Sequence, residues 1–306
     1  MANSGPGPRQ PLEAYAALVR VPNLFTAPPD VLLGAALVAA AGFTISLLSI
    51  AGLAVASILL YAAGTTLNDA FDAPVDARKR PERPIPSGRV SRATAFGFGG
   101  VLLLAGIAVA GMATGLAGGI VAAALATAIV LYDGFLKGSA IGFLTMGATR
   151  GLNVLLGTTV AGLPTEVPGR VWFVIAVVTG YIAAVTYMAA GETEVGGRTA
   201  VAVAGGASML AALSAVGYLV VTWSGAVRVG FGIALALAFL WWVGRPLRRA
   251  YGEPKPGTIG PAVGACVLGL VLLDAAFAAV AGVAWAIVVV VFLVPAVGLS
   301  RVFEVS

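Results

Sequence analysis

Apolar stretches long enough to cross a lipid bilayer follow one another along almost the whole chain. A transmembrane helix needs about 20 mostly apolar residues, with a range of about 17–25. Only 10% of the residues are charged, against about 25% in soluble domains. The sequence therefore predicts an all-α polytopic integral membrane protein, and it excludes a soluble globule, a disordered chain and a nucleic-acid-binding protein. We read ten stretches, with nine remaining if the last two merge or if one re-enters the membrane; they lie near residues 12–40, 45–71, 92–114, 116–136, 139–161, 171–190, 200–223, 226–244, 259–282 and 283–299.

The basic residues predict how these helices are oriented. With the N-terminus inside the cell, 15 of the 18 Lys and Arg residues fall on the cytoplasmic side, as the positive-inside rule requires. Residues 1–11 are polar and rich in Pro and Gly, and we predict a disordered tail there. Residues 12–306 are predicted to form a single transmembrane domain in the plasma (inner) membrane of a prokaryotic-type cell, with the N-terminus and the active-site loops cytoplasmic.

Two residue counts limit the chemistry. The chain has no His, so an imidazole base, a Ser-His-Asp triad and His-ligated zinc or haem are excluded. The single Cys266 lies in an apolar run, which excludes an intrachain disulfide and a thiolate metal cluster. Any metal must therefore bind through oxygen, which favours Mg²⁺ or a similar hard cation.

A cluster of acidic residues closes the second apolar stretch. Asp69, Asp72 and Asp76 are spaced i, i+3, i+7, and Asn68, Asp72 and Asp76 are spaced i, i+4, i+8. Either set lies on one face of a helix. Carboxylates gathered in this way repel one another, and a divalent cation removes that cost. The alternative is a solvated helix end whose charge is cancelled by the basic run at 78–80.

The loop that follows the cluster is rich in Pro and Arg. Prolines give it an ordered, non-helical path, and arginines such as Arg83 provide fork-shaped donors that suit phosphate. On its own such a loop is more often a positive-inside anchor. Its position next to the acidic cluster favours phosphate binding.

Together these motifs resemble the UbiA superfamily of intramembrane prenyltransferases. Asn68-Asp-Ala-Phe-Asp72-Ala-Pro-Val-Asp76 resembles the first aspartate-rich motif, and the loop Arg80-Pro-Glu-Arg83-Pro-Ile-Pro-Ser-Gly-Arg89 resembles the segment after it. Arg20-Val-Pro-Asn23 is similar to the family's broken first helix. Tyr132-Asp-Gly-Phe-Leu-Lys137 is similar to its Tyr-x-x-x-Lys-type segment, offset by one residue. The run at residues 146–157 most resembles the UbiA-like proteins encoded in Ebo gene clusters.

The resemblance implies a fold, a reaction and a role for each matching residue. Helices would surround a central cavity, where a prenyl group passes from a prenyl diphosphate to a small hydrophobic acceptor, expected to be aromatic. Asn68, Asp69, Asp72 and Asp76 would hold Mg²⁺ bridged to the diphosphate, and Lys137 would contact that diphosphate. The remaining matching positions are expected to bind substrate: Arg20, Asn23, Arg83 and Tyr132. Three alternatives stay open: phosphoribosyl transfer, terpene cyclisation, and a carrier of an aromatic or lipid-like molecule that does no chemistry.

The second acidic motif of the family is altered in this chain. At the corresponding place stand Glu192, Glu194 and Arg198. Glutamates at i and i+2 share no helical face, so they converge only if the helix unwinds at Gly191. Glu192 is a candidate second metal ligand, Glu194 a candidate base or acceptor ligand, and Arg198 a candidate phosphate contact. The alternative is an ordinary cytoplasmic loop.

Arg150 lies deep within the fifth apolar stretch. An Arg at that depth must face protein or water, and Asn153 is about one turn further along the same face. We expect both side chains to line a cavity. The alternative is a polar packing pair helped by Gly147 and Gly151, with Asp274 as a possible buried partner for the guanidinium.

Overall fold

The computed structural model describes residues 9–190, 197–222 and 225–300. These residues are helical with short connections, and no strand occurs among them. A π-helical turn covers Tyr132–Leu136, and 3₁₀ turns cover Thr159–Ala161 and Pro164–Glu166. The α-helices are α1 (Arg9–Leu18), α2 (Val21–Leu24), α3 (Pro28–Ala40), α4 (Leu47–Lys79), α5 (Arg92–Leu131), α6 (Ala140–Thr158), α7 (Gly169–Ala190), α8 (Gly197–Val221), α9 (Ala226–Gly252), α10 (Pro256–Ala278), α11 (Val283–Val291) and α12 (Leu293–Ser300).

The number of membrane crossings agrees with the prediction of nine to ten. Seven helical runs of the described chain are long and apolar enough to cross a bilayer, and Val283–Leu299 is a shorter apolar run. One of the seven, Arg92–Leu136, has 45 residues. As a straight helix it would be about 68 Å long, more than twice the roughly 30 Å hydrocarbon core. It is bent back on itself and is long enough for two crossings, and the 19-residue α6, which is not among the seven, lies where a further crossing was predicted.

The reversal within α5 occurs at Thr114 and Gly115. Gly115 has φ 66° and ψ −146°, a conformation that L-residues with a side chain rarely adopt. Beyond this turn the chain runs back along itself, because a β-carbon on Gly111 would lie 3.9 Å from the Cα of Gly119. Thr159 Oγ1 lies 2.9 Å from Thr114 Oγ1 and fixes the turn to the end of α6. The predicted separate stretches at 92–114 and 116–136 are thus confirmed.

Prolines divide the beginning of the chain into three short helices. Pro22 lies in the first turn of α2, while Pro28 and Pro29 open α3, where a missing N–H costs least. α3 is buried from Pro28 to Val38 and forms the centre of the bundle. It crosses α6 at backbone contact, since a β-carbon on Gly157 would lie 2.0 Å from the Val31 carbonyl oxygen.

Two boundaries differ from the sequence prediction. Residues 9–11 of the predicted disordered tail form the start of α1, and residues 1–8 lie outside the described chain. The second apolar stretch was expected to end near Phe71, but α4 continues to Lys79 with Pro74 inside it. Pro74 cannot donate to the carbonyl of Ala70, four residues earlier. Arg92 Nε donates to that oxygen instead, at 2.8 Å, which allows the helix to continue.

Candidate functional site

A cavity of about 270 Å³ lies between α4, the returning half of α5, the π-helical turn and α6. One end, which we call the mouth, is lined by Arg20, Asn68, Tyr132 and Asp133. The other end, which we call the floor, is lined by Ser57, Arg150 and Asn153. Leu60, Leu125 and Ile129 give the space between them apolar walls. The structure thus brings Arg20, Asn68, Tyr132, Arg150 and Asn153 to one cavity, and the roles expected for them stay predictions.

The helix divides the acidic cluster into two faces. At about 100° per residue, Asp69 and Asp76 point in nearly the same direction, and Asn68 and Asp72 point to an adjacent side. Asp69 and Asp76 are buried and both contact Arg83: its Nη1 lies 3.4 Å from Asp69 Oδ1 and 2.8 Å from Asp76 Oδ2. The predicted phosphate donor Arg83 thus holds two carboxylates of its own chain.

Arg20 pairs with the same aspartate from the cavity side. Its Nη2 lies 2.7 Å from Asp69 Oδ1. Burial lowers the pKa of Arg20, whereas the nearby Asp69 carboxylate raises it. The net result is a pKa above the ordinary value for arginine. Asp69 Oδ1 therefore accepts from two guanidinium groups, those of Arg20 and Arg83.

Asn68 and Asp72 face the π-helical turn. Asn68 Nδ2 donates to Asp133 Oδ1 at 2.7 Å, and Lys137 Nζ pairs with Asp72. Asp133 is 9% exposed and lines the mouth. Asp133 lies within the Tyr132–Lys137 segment, but no role was predicted for it from the sequence. An acidic residue at the end of an apolar stretch is itself an indication of a functional site.

These contacts determine which residues could hold a cation. In the described residues, no three acidic or Cys side chains come together as a metal-binding group. The four residues that the resemblance implies as ligands are therefore not gathered at one point, because Asp69 and Asp76 face Arg83 while Asn68 and Asp72 face the π-helical turn. Asn68, Asp72 and Asp133 offer hard oxygen donors next to the cavity, a set that fits Mg²⁺.

Arg150 lines the floor and also takes part in a buried ion pair. Its Nη1 lies 3.1 Å from Asp30 Oδ2 and donates to the Thr26 carbonyl at 2.9 Å. Its guanidinium carbon lies 5.1 Å from the centre of the Tyr61 ring. The ion-pair partner is thus Asp30 and not Asp274, whose buried carboxyl interacts with the Asp30 carboxyl.

Two predicted residues of the described chain, Asn23 and Arg198, do not line the cavity. Asn23 lies in α2, and its carbonyl accepts from the Thr26 hydroxyl at 2.8 Å. Arg198 lies at the start of α8, with Nη2 3.4 Å from the Gly252 carbonyl oxygen. Glu192 and Glu194 lie outside the described residues, so the roles expected for them stay predictions.

Comparison with known proteins identifies the family. The model of the UbiA prenyltransferase family matches residues 29–259. A digeranylgeranylglyceryl phosphate synthase from Methanothermobacter thermautotrophicus is 38% identical over 111 residues, which is 35% of this chain and 39% of that protein. One from Methanoregula boonei is 48% identical over 80 residues, 26% of this chain and 28% of that protein. The matches thus span less than half of these curated relatives.

Solved structures of the same fold cover most of the chain. A structure from work on digeranylgeranylglyceryl phosphate synthase in membranes aligns with a TM-score of 0.62 at 20% identity, covering 89% of this chain and 98% of that one. A UbiA homolog from Archaeoglobus fulgidus bound to GPP and Mg²⁺ aligns with a TM-score of 0.60 at 15% identity, covering 86% and 99%. At these identities the likeness shows a shared fold.

Proposed function

The chain belongs to the UbiA prenyltransferase family, and on that premise we propose that it transfers a prenyl group from a prenyl diphosphate to a small acceptor, with Mg²⁺, inside the membrane. Its family and its apolar helices make it a multi-pass membrane protein, and its activity as a prenyl transferase is part of this proposal. We further propose that it resides in the plasma (inner) membrane with the cavity mouth facing the cytoplasm, and that residues 12–306 form one domain.

The mouth of the cavity carries this proposal. Asn68, Asp133 and the cation Arg20 line it at one end of an apolar chamber. The Asp72–Lys137 pair lies next to Asp133 and adds an oxygen donor and a second cation. A bound Mg²⁺ would neutralise the charge that develops on the departing diphosphate. Lys137 would share that charge on leaving its pairing with Asp72. Apolar walls would exclude water from the allylic cation, leaving the acceptor as its available nucleophile.

Asp69 and Asp76 take a different part in this scheme. Both are tied to Arg83, and Asp69 also to Arg20. They hold the loop after α4 and orient Arg20 at the mouth, so we assign them to positioning and Asn68, Asp72 and Asp133 to donor binding. Glu192 remains the proposed second metal ligand, with Glu194 as base or acceptor ligand and Arg198 as phosphate contact.

The acceptor is proposed in two classes. The UbiA resemblance implied a small, aromatic acceptor, and this stays our prediction, as does the closer likeness of residues 146–157 to the Ebo-type proteins. The names of the curated relatives support a glyceryl phosphate acceptor instead. Incubating the purified protein with geranyl diphosphate and either 4-hydroxybenzoate or a glyceryl phosphate ether, followed by mass spectrometry of the products, separates the classes.

The donor site is tested by binding of geranyl thiolodiphosphate, an inert donor analogue, with and without Mg²⁺. We expect Asp72→Asn to abolish Mg²⁺-dependent binding while the protein keeps its wild-type melting temperature. Asp76→Asn should lower the melting temperature, because it removes a charge from Arg83. Glu253→Gln, at an exposed acid paired with Lys255, is the matched control. Wild-type affinity in Asp72→Asn would refute the donor site.

A further inference from the structure

The floor of the cavity carries polar atoms that lack partners. Ser57 is 1% exposed and Asn153 is 5% exposed, and both line the cavity. Neither Ser57 Oγ nor Asn153 Oδ1 has a hydrogen-bond partner within the described part of the chain. Asp30 Oδ1 and both carboxyl oxygens of Asp274 also lack partners in the described chain, but neither residue lines the cavity. Buried polar atoms are normally satisfied, so the two that belong to cavity-lining residues indicate a group that is supplied from outside.

Asn153 is held with its oxygen free. Its Nδ2 donates to Asp30 Oδ2 and to the Ala27 carbonyl, each at 2.9 Å. With both amide hydrogens used, the side chain cannot rotate without losing two hydrogen bonds. Asn153 Oδ1 is therefore a fixed acceptor, and the Ser57 hydroxyl beside the same space can both donate and accept.

Electrostatics at the floor disfavour an anion. The only guanidinium there in the described residues, that of Arg150, is matched by Asp30 at 3.1 Å. A second carboxyl, that of Asp274, lies beside this pair. Since no positive charge is left over, a phosphate or carboxylate would meet the Asp30 carboxylate without a countercharge of its own, whereas a neutral hydroxyl meets one acceptor and one donor.

The floor is also far from the diphosphate end. Ser57 and Asn68 lie on the same helix, α4, eleven residues apart, which is about 16 Å along the axis. Leu60 and Leu125 line the space between. A prenyl tail reaching the floor would place hydrocarbon against the two orphaned atoms and leave them unsatisfied.

We propose that the floor is a hydrogen-bonding subsite for an uncharged hydroxyl-type group of the acceptor. This rests on the proposed function, because the donor then occupies the mouth. The acceptor class is then a third one, longer than the small aromatic acceptor considered above: an amphiphile with its nucleophile near Asn68, an apolar middle, and a neutral hydroxyl that reaches Ser57 and Asn153.

The test compares 1-octanol with 1-chlorooctane, which has the same chain length but no hydroxyl. Binding of each to the purified protein is measured alone and with saturating dimethylallyl thiolodiphosphate and Mg²⁺, which occupy the mouth. Ser57→Ala should weaken 1-octanol binding about tenfold, the equivalent of one hydrogen bond, and leave 1-chlorooctane within twofold. Differences in detergent partitioning cancel, because each ligand is compared with itself between variants.

Ser208→Ala is the matched control, since Ser208 is equally buried but its hydroxyl donates to the Ala204 carbonyl. It should change neither affinity. Equal effects of Ser57→Ala on both ligands, or no effect on 1-octanol, would overturn the subsite. Failure of the proposed function looks different: dimethylallyl thiolodiphosphate then shows no Mg²⁺-dependent binding, while the selective loss of 1-octanol in Ser57→Ala persists without it.

Discussion

Arg150 connects the cavity to the stability of the bundle. Its guanidinium donates three hydrogen bonds, to the Thr26 carbonyl, Thr26 Oγ1 and Asp30 Oδ2. Arg150→Met removes all three and leaves the Asp30 carboxylate without its countercharge. Removing one partner of a buried pair costs about 3–5 kcal/mol, and we expect that loss in the free energy of unfolding.

The neighbouring carboxyls predict an order among variants. Asp30→Asn should cost less, about 1–3 kcal/mol, because the amide oxygen still accepts from Arg150 and Asp274 remains close by. Asp30→Asn combined with Asp274→Asn should cost about 3–5 kcal/mol, since the guanidinium then has no carboxylate near it.

Unfolding in mixed detergent micelles, followed by tryptophan fluorescence, measures these differences. Arg228→Met is the control, because Arg228 is exposed and donates to the Val280 carbonyl at 3.0 Å; it should cost about 1 kcal/mol or less. The reasoning is wrong if Arg150→Met matches this control, or if Asp30→Asn is as damaging as the double replacement of both carboxyls.

Two further predictions concern the backbone. Gly115→Ala should lower the unfolding free energy by about 1–3 kcal/mol, because residue 115 has a positive φ. Gly217→Ala, at an open helical position, is the control and should be neutral or slightly stabilising. Equal melting temperatures of the two variants would contradict this. Arg92→Met should lower the unfolding free energy by about 1–2 kcal/mol, because the Ala70 carbonyl loses its donor. The loss should be smaller in a Pro74→Ala background, where residue 74 has an N–H that can donate to that carbonyl. An equal loss in both backgrounds, measured in the same unfolding assay, would contradict this.

Most helices of this fold could be predicted from the sequence, because nearby residues determine where each helix begins and ends. Apolar stretches give the crossings, prolines divide the first helix, and Gly115 marks the reversal between 92–114 and 116–136. The end of α4 was missed because it depends on Arg92, which is eighteen residues beyond Pro74 and supplies the donor that proline lacks. A sequence pattern within α4 cannot indicate a contact to a residue outside that helix.

The candidate site was predictable in its residue types and less so in its pairings. Spacing put Asn68, Asp72 and Asp76 on one helical face, but it could not show that Asn68 and Asp72 contact the π-helical turn while Arg83 pairs with Asp69 and Asp76. The partner of Arg150 was missed for the same reason. Asp30 is 120 residues earlier in the chain, and only the crossing of α3 and α6 brings the two together.

The reversal at Thr114 and Gly115 has a consequence for biogenesis. No hydrophilic segment separates the two crossings there, so the first crossing cannot end in a polar loop on the far side of the membrane before the second one inserts. We expect them to enter the bilayer together as one preformed pair during synthesis on the ribosome. An epitope tag or protease site placed between these two residues would have to be drawn through the membrane with them, so that position is a poor choice for topology reporters, whereas the connection near Pro164 is suitable.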